Sequence, residues 1–275
     1  MFKVLKDNKI DLFRLDFNLN PALAWSMKDR EEGVDRYNIT ELKAVTNYYR
    51  FLEEVIDCTL SYGGCGYTDS CASGGGRNDL LTLRYAIPFL RSDADRGTTA
   101  LRLSMSTSFN KWIPFNGATH LEKQAGLECL QDGIVDVYSW RASYLPVMNI
   151  FGGRFTQDKD YDFDMLRFGL NEWSSLNKYL TKDFYPITPW KHKTDRSGFT
   201  AHAYMDGDTD DGILLAFRME DCEESVLNID LPFAKQDEYL LTDQDTKEEI
   251  IVKNGKVELE FTHKRQARLL WVKKI

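Results

Sequence analysis

Three short motifs hold the residues of this chain that could do chemistry. In the first, Phe13 to Asn18, Asp16 follows a short apolar run, and in the third, Arg91 to Asp93, Asp93 has the same setting. The second motif, Cys71 to Arg77, is rich in glycine and lies between them. An acid that follows an apolar run is expected where a strand ends, which in a (β/α) barrel is the catalytic end. Two carboxylates on separate strand ends can cleave a glycosidic bond, one as nucleophile and one as proton donor, so the motifs predict a sugar-cleaving enzyme.

Composition narrows the classes of partner. Hydrophobic residues make up 43% and charged residues 28% of the 275 residues, so a packed core is expected. The formal net charge of -8 argues against a nucleic-acid partner, because binding to phosphates depends on a basic surface. The sequence contains no apolar run of about 18 residues and no apolar N-terminal signal segment, so a cytoplasmic protein without a membrane partner is predicted.

The cysteines give no sign of a disulfide framework. They are five in number, sparse and unevenly spaced, and reduced thiols are expected at Cys58, Cys65, Cys71, Cys129 and Cys222. Their spacing lacks the Cys-x2-Cys pairs of zinc sites, and the glycine run lacks the frame of a phosphate-binding loop. The sequence therefore predicts neither a metal nor another cofactor.

The first two thirds of the chain alternate between strand and helix patterns. The predicted strands are Lys9–Leu15, Tyr67–Cys71, Ala86–Leu90, Trp112–Phe115 and Val135–Trp140. The predicted helices are 39–55, 79–85, 94–109, 121–130 and 162–180. Such alternation is typical of parallel βαβ units.

The first of these helices has the clearest pattern. Asn38 is predicted as its N-cap, with Glu41 three residues later as in a capping box. A helical apolar stripe follows and is expected to pack against a sheet; it consists of Leu42, Val45, Tyr49, Leu52 and Val55.

After Pro186 and Pro189 the pattern changes to short strands separated by turns, which predicts an antiparallel sandwich. The predicted strands are 213–218, 226–231, 239–242, 249–252, 257–261 and 267–272. A complete (β/α)8 barrel has eight strands, whereas residues 1–183 offer five. The predicted fold is therefore α/β, with a partial TIM barrel of about five βα units in residues 1–183 and a C-terminal β-sandwich in residues 184–275.

The motifs resemble those of the α-galactosidases of glycoside hydrolase family 36. The matching segments are Arg14 to Asn18, Cys71 to Arg77 and Ser92-Asp93, in the family's order, and the resemblance extends over nearly the whole chain. It implies a retaining mechanism in which Asp16 attacks the anomeric carbon, while Asp93 protonates the leaving oxygen and then activates water. The implied substrate is a galactose-containing oligosaccharide or glycoconjugate.

The resemblance also implies the substrate contacts, which are Arg14, Asn18, Cys71, Ser73, Gly74 and Arg91. The loop from Cys71 to Gly74 matches the family's loop near the sugar 2-hydroxyl. Arg14 stands where many members have lysine, and both residues donate hydrogen bonds to sugar hydroxyls. For Arg91, the residues leave open whether the guanidinium binds substrate or pairs with a carboxylate such as Asp79.

The chain departs from the family at its start. Only fifteen residues precede Asp16, where the family has early barrel strands and a large N-terminal β-domain. The sequence is therefore interpreted as the C-terminal portion of such an enzyme, beginning near barrel strand four. A barrel that cannot close leaves a sheet edge open to a missing N-terminal segment or to another copy of the chain.

Several alternatives remain open on the residues alone. Asp16 has the rival role of a turn residue, Asp93 that of an N-cap for the helix from Ala94, and Asp95 is a reserve candidate for the acid. At the level of function, the rivals are another α-glycoside specificity, such as α-N-acetylgalactosaminide hydrolysis or galactosyl transfer, and a non-catalytic carbohydrate-binding or assembly protein.

Overall fold

Helices and sheets are mixed along the chain in the computed structural model, which describes residues 1–16, 18–33, 38–71, 75–120, 135–150 and 162–275. These residues form two compact units, Met1–Asp93 and Ala94–Ile275. Among the described residues, no helix is both long enough and apolar enough to cross a membrane.

The first unit is built around a small parallel sheet. Its elements are α1 (Phe2–Asn8), β1 (Leu12–Asp16), α2 (Ala22–Glu32), α3 (Ile39–Leu60), β2 (Tyr67–Cys71) and a short 3-10 helix (Thr82–Arg84). Strands β1 and β2 run parallel, and the chain at Ile87 joins them by a parallel bridge to Asp69. The predicted strand at 86–90 is thus reduced to this one bridging residue. Helices α1 and α2 are not predicted from the sequence. Helix α2 has no apolar face, and its buried residue is Asp29.

Helix α3 covers one face of the parallel pair. The ring of Phe13 on β1 lies 5.7 Å from that of Phe51, and the hydroxyl of Tyr48 lies 3.3 Å from that of Ser70 on β2. Because side chains alternate along a strand, the residues next to Phe13 on β1 and next to Ser70 on β2 point to the opposite face, away from α3. Arg14 is one of them.

The start of α3 is where the sequence predicted it, but its cap is different. Asn38 has a left-handed φ of 61° and makes no side-chain cap hydrogen bond. Instead, the buried carboxylate of Asp29 on α2 accepts from the Thr40 N–H at 3.0 Å and from its hydroxyl at 2.5 Å. A cap from another helix has no signature in the local sequence.

The apolar stripe of α3 is buried only in its second half. Leu52 and Val55 are 1% and 0% exposed, whereas Leu42 and Val45 are 67% and 38% exposed. The expectation that the whole stripe packs against a sheet is therefore wrong. A helix of 22 residues extends about 33 Å, roughly twice the length of the five-residue strands it packs on.

The second unit begins with helices and a second parallel pair. Its first elements are α4 (Thr99–Phe109), β3 (Gly117–His120), α5 (Val137–Arg141), β4 (Val147–Ile150) and α6 (Phe163–Leu180). The strands that follow are β5 (Asp183–Pro186), β6 (Phe199–Asp206), β7 (Asp211–Arg218), β8 (Val226–Asp230), β9 (Tyr239–Asp243), β10 (Glu249–Val252), β11 (Lys256–Glu260) and β12 (Gln266–Lys274). Strands β3 and β4 are parallel.

The antiparallel C-terminal sheet is confirmed. Six strands are ordered β10-β9-β12-β7-β6-β5, all neighbours antiparallel, and β8 pairs with β11 in a separate ribbon. The six predicted C-terminal strands correspond to β7–β12. Strands β5 and β6 are not predicted from the sequence. The apolar residues of β6 do alternate, but two of them are alanines, which have a weak strand preference.

The six-stranded sheet is covered on both faces, which explains the continuous apolar run of β7. Leu214 and Ala216 belong to a core that includes Leu227 of β8 and Leu259 of β11. The alternate β7 residues 213, 215 and 217 belong to a second core with residues of α4, α5 and α6. A strand buried on both faces has no need of a polar side.

Two predictions in the second unit are wrong. The segment 135–140 is not a strand: α5 starts after Asp136, whose carboxylate accepts from the Ser139 N–H at 2.9 Å while the Ser139 hydroxyl lies 3.0 Å from the Asp136 N–H. This capping box outweighs the strand preference of Val137 and Tyr138. The strand predicted at 112–115 lies at 117–120 instead, and Trp112 is 82% exposed.

Other predicted elements have mixed outcomes. The helix at 162–180 is confirmed, with Asp162 accepting from the N–H groups of Asp164 and Met165. The helix predicted at 121–130 lies outside the described residues. Because β1–β2 and β3–β4 are separate two-stranded sheets, a partial barrel stays a prediction, as does a domain boundary after residue 183.

Candidate active site

The first two motifs meet at one end of the parallel pair in the first unit. The register pairs Arg14 with Asp69 and Asp16 with Cys71, so these four residues lie on the same face, opposite α3. Asp16 and Cys71 are the last residues of their strands. The candidate nucleophile and the start of the glycine-rich motif are therefore neighbours at the carboxyl edge of the sheet.

Arg14 bridges two carboxylates on this face. Its Nη2 donates to Oδ2 of Asp16 at 3.2 Å, and its Nη1 donates to Oδ2 of Asp69. The side chains of Arg14 and Asp16 are 36% and 40% exposed, whereas that of Asp69 is 4% exposed. Burial acts to lower the pKa of Arg14, but the hydrogen bond and charge of Asp69 outweigh it and raise that pKa.

Asp69 is a residue that the sequence reasoning missed. Its second oxygen, Oδ1, accepts from the backbone N–H of Phe89 at 3.1 Å, so both oxygens are engaged. The available signal was its position two residues before Cys71, which places both on the same face of a strand.

The glycine-rich motif is held against the third motif. Gly75 has a φ of +104°, and a Cβ there would lie 2.4 Å from the carbonyl oxygen of Arg91. The same oxygen accepts from Nδ2 of Asn78 at 2.6 Å. The loop after β2 and the loop after Ile87 are therefore in backbone contact. The contact is at Arg91, two residues before Asp93.

Asp93, which ends the third motif, and Asp95, two residues later, differ in burial. Asp93 is exposed and begins a 3-10 helix, Asp93–Arg96, whereas Asp95 is 0% exposed. The α-helix starts only at Thr99 and is capped by Thr98, whose hydroxyl accepts from the Leu101 N–H at 3.3 Å. Asp93 is thus not the N-cap of that α-helix, and the side chain of Asp95 does not reach solvent.

The charged residues around the glycine motif have structural partners. Asp79 accepts from the N–H groups of Leu81 and Thr82 at 3.0 and 2.9 Å and from the Thr82 hydroxyl at 2.8 Å. Burial acts to raise the pKa of Asp79, but these hydrogen bonds outweigh it and lower that pKa. The guanidinium of Arg77 lies 5.2 Å from the ring centre of Tyr48.

The remaining residues predicted to contact the substrate differ in burial. Arg91 is 0% exposed, Asn18 is exposed, and Ser73 and Gly74 lie outside the described residues. Cys71 is a buried free thiol, as Cys58 and Cys222 are, while Cys65 is a free exposed thiol. Within the described ranges, no group of three or more His, Cys, Asp or Glu side chains is arranged to hold a metal ion.

Trp140 and Arg141, at the end of the segment predicted as a strand, serve the core of the second unit. Arg141 is fully buried and donates to Glu172 on α6 at 3.0 and 2.7 Å and to Asp245 at 2.7 and 2.8 Å. A Cβ on Gly169 would lie 2.1 Å from the ring of Trp140, so the ring packs directly against the α6 backbone. These contacts join α5 to α6 and to the turn after β9.

This fold occurs in glycosidases of known structure. No protein-family model and no curated protein sequence matches the chain. The fold is similar to that of an α-galactosidase from Lactobacillus brevis, with a TM-score of 0.70 at 15% identity, and to that of the family GH36 α-galactosidase AgaB from Geobacillus stearothermophilus, with a TM-score of 0.66 at 14% identity. Both alignments cover 99% of this chain, which spans 37% and 36% of theirs.

The fold is shared with glycosidases of another specificity. An α-amylase from Geobacillus thermoleovorans, in complex with acarbose, matches 99% of this chain and 62% of its own, with a TM-score of 0.59 at 12% identity. The similarity therefore defines the fold, and a choice between substrates depends on the residues of the site.

Proposed function

We propose that this chain carries the catalytic residues of a retaining glycosidase that acts on terminal α-galactosides, with Asp16 as nucleophile and Asp93 as acid and base. Two adjacent contacts carry this proposal: Asp16 pairs with Cys71 at the carboxyl ends of β1 and β2, and Gly75 lies against the carbonyl oxygen of Arg91, two residues before Asp93. Asp16 ends β1, Cys71 ends β2 beside it, and Asp93 follows the segment that is bridged to β2. Carboxyl ends of parallel strands are the catalytic edge in (β/α) barrels.

The exposure of the two carboxylates supports their roles. Asp16 has a 40% exposed side chain and Asp93 is exposed, so a substrate has access to both, whereas Asp95 and Asp69 are buried. Arg14 donates to Oδ2 of Asp16, so that, among the residues that the structure describes, Oδ1 is left for attack on the anomeric carbon. A retaining enzyme requires the two carboxyl groups roughly 5–5.5 Å apart, since the first must bond to the sugar that the second protonates.

The substrate contacts belong to the same proposal. Arg14, Asn18, Cys71, Ser73, Gly74 and Arg91 are proposed to bind the galactosyl group. Of these, Arg14 supports the proposal most directly, because its guanidinium lies beside Asp16 and is 36% exposed. Arg91, being fully buried, is proposed to contribute through its backbone, which Gly75 and Asn78 contact. We also propose that β1–β2 and β3–β4 are wall segments of a (β/α) barrel.

An assay with an aryl α-galactoside tests the proposal on the polypeptide as its gene encodes it. Asp16→Asn is expected to lower kcat/KM for the aryl substrate by at least about 10³-fold, since it removes the nucleophile. Asp93→Ala is expected to lower kcat/KM for an alkyl α-galactoside by a similar factor, since that leaving group needs a proton. Asp164→Asn is the matched control, because that carboxylate on α6 is 95% exposed. Proton NMR is expected to show the α-anomer of galactose as the first product.

The rival functions are outcomes of this assay. Binding of galactose without turnover indicates a non-catalytic carbohydrate-binding protein. Turnover of an α-N-acetylgalactosaminide in preference to the galactoside indicates the related specificity. Release of the β-anomer contradicts the retaining mechanism, and activity that survives both substitutions contradicts the assigned roles.

A further inference from the structure

The buried carboxylate of Asp69 has no chemical role in the proposed reaction, yet it contacts both sides of the candidate site. We propose that Asp69 is a positioning residue that fixes the guanidinium of Arg14 and, through it, the carboxylate of Asp16. This inference rests on the proposed function, and it concerns a residue that does not touch the substrate.

Asp69 is a firm anchor because both of its oxygens are used. Oδ2 accepts from Nη1 of Arg14, and Oδ1 accepts from the N–H of Phe89 at 3.1 Å. Its side chain is 4% exposed, and Arg14 is its Cα partner in the strand register. A carboxylate that is buried, paired and hydrogen-bonded on both oxygens keeps one orientation, since any rotation leaves a charge or an N–H without its partner.

Arg14 needs such an anchor. Its side chain is 36% exposed, and its contact with Asp16 joins two groups that both reach solvent. An exposed ion pair alone holds a long side chain weakly. The guanidinium is a rigid planar fork, so fixing Nη1 on Asp69 also fixes the direction in which Nη2 donates to Asp16.

The second hydrogen bond of Asp69 extends this role to the acid. Phe89 precedes Asp93 by four residues and follows the bridge between Ile87 and Asp69. One carboxylate therefore connects β1, which ends at the proposed nucleophile, with the segment that leads to the proposed acid. Asp69 is therefore hydrogen-bonded to both of the segments that carry the proposed catalytic groups.

The first measurement does not depend on activity. In the wild-type protein, NMR of the arginine side chains is expected to show separate, slowly exchanging Nη–H signals for Arg14, which are identified by their loss in Arg14→Met. Asp69→Asn is expected to average these signals, because a neutral amide gives up the charge-assisted bond while it keeps an oxygen for the Phe89 N–H.

The second measurement is a double-mutant cycle on kcat/KM with an aryl α-galactoside. Asp69→Asn is expected to cost on the order of 10²-fold in the wild-type background, mainly in kcat, since a small displacement of a reacting group has an effect of this size. In the Arg14→Met background, the same substitution is expected to lower kcat/KM by less than about 3-fold. Without the Arg14 guanidinium, Asp69 no longer acts on Asp16. Melting temperatures of all four proteins check that they are folded.

The outcomes separate the two proposals. Equal losses in both backgrounds show that Asp69 acts independently of Arg14, which overturns the inference, and so do Arg14 signals that are unchanged by Asp69→Asn. If the wild-type protein has no glycosidase activity, the proposed function fails and the catalytic part of the inference fails with it. The NMR result then still decides whether Asp69 anchors Arg14.

Discussion

Gly75 lies against the carbonyl oxygen of Arg91, so closely that a Cβ at position 75 would come within 2.4 Å of it. This contact joins the glycine-rich motif after β2 to the acidic motif that contains Asp93. Since Gly75 also has a φ of +104°, no other residue fits there without both strain and displacement. Gly75 therefore allows the loop after β2 to approach the Arg91 segment closely.

The first prediction follows from this contact. Gly75→Ala is expected to lower the free energy of unfolding by roughly 2–4 kcal/mol, because backbone strain adds to the displacement of the Arg91 segment. It is also expected to lower kcat/KM by at least about 10-fold, because Asp93 moves with that segment. Urea unfolding and the aryl galactoside assay measure the two effects.

Gly63→Ala is the matched control for this prediction. Gly63 has a φ of +85°, but a Cβ there meets nothing within 4 Å. It is expected to show only the strain of positive φ, about 1 kcal/mol, with unchanged activity. Equal effects of the two substitutions would show that contact with Arg91 is unimportant.

The second prediction concerns the buried ion pair between α5 and α6. Arg141→Met is expected to lower the free energy of unfolding by about 3–5 kcal/mol, because Glu172, at 3% exposure, is left as an uncompensated buried charge. Asp245→Asn is expected to cost less than about 1 kcal/mol, since that carboxylate is 50% exposed. If both substitutions cost the same in denaturant unfolding, the pair with Glu172 is not what stabilises this junction.

The third prediction is a pH dependence at Asp243. This side chain is 2% exposed and accepts from Asp245 and Thr246 N–H groups at 2.9 and 3.0 Å and from Arg268 at 2.7 Å. Burial acts to raise the pKa of Asp243, but these hydrogen bonds and the charge of Arg268 outweigh it and lower that pKa. The folded state therefore binds fewer protons at this site than the unfolded state does.

A lowered pKa of this kind stabilises the fold above the unfolded-state value of about 3.9, and the contribution is lost as the pH falls through the lower folded-state pKa. Asp243→Asn is accordingly expected to destabilise the protein most at neutral pH, with a difference from wild type that shrinks below about pH 4. Urea unfolding between pH 3 and pH 7 measures this difference. A gap that stays constant over the range would refute the linkage.

The fourth prediction separates the two proposed catalytic aspartates by their chemistry. In Asp93→Ala, an aryl galactoside with a good leaving group is expected to react far better than an alkyl galactoside, because only the poor leaving group needs a proton. In Asp16→Gly, added azide is expected to restore turnover and to give a β-galactosyl azide, since the anion attacks from the face of the missing nucleophile. Steady-state kinetics and NMR of the products distinguish these results from a general loss of folding.

Local sequence patterns were sufficient to predict an element whose consecutive residues are all buried. The run Ile213 to Phe217 was predicted as a strand, and the structure shows why it is apolar throughout: alternate residues enter two different cores. The helix predicted at 162–180 is also confirmed, and its N-cap Asp162, which the structure shows, acts on the first turn of that same helix. The helix at Val137–Arg141 was missed because a capping box of two residues outweighed β-branched and aromatic neighbours.

The site shows the same division. Asp16, Asp93 and the glycine motif could be found in the sequence, since residue type and position after an apolar run are local properties. Asp69 could not be singled out, because its importance comes from the register that places it opposite Arg14 and from the N–H of Phe89, twenty residues away.

By itself, the sequence determined which residue types stand at the ends of the apolar runs, the six C-terminal strands and the resemblance to α-galactosidases. Only the tertiary structure decided that Arg14 is shared between Asp16 and Asp69, that Gly75 rests on Arg91, and that Asp95 is buried while Asp93 is exposed. The physical reason is that strand periodicity and caps depend on neighbours within a few residues, whereas burial and ion pairing depend on which distant segments pack together.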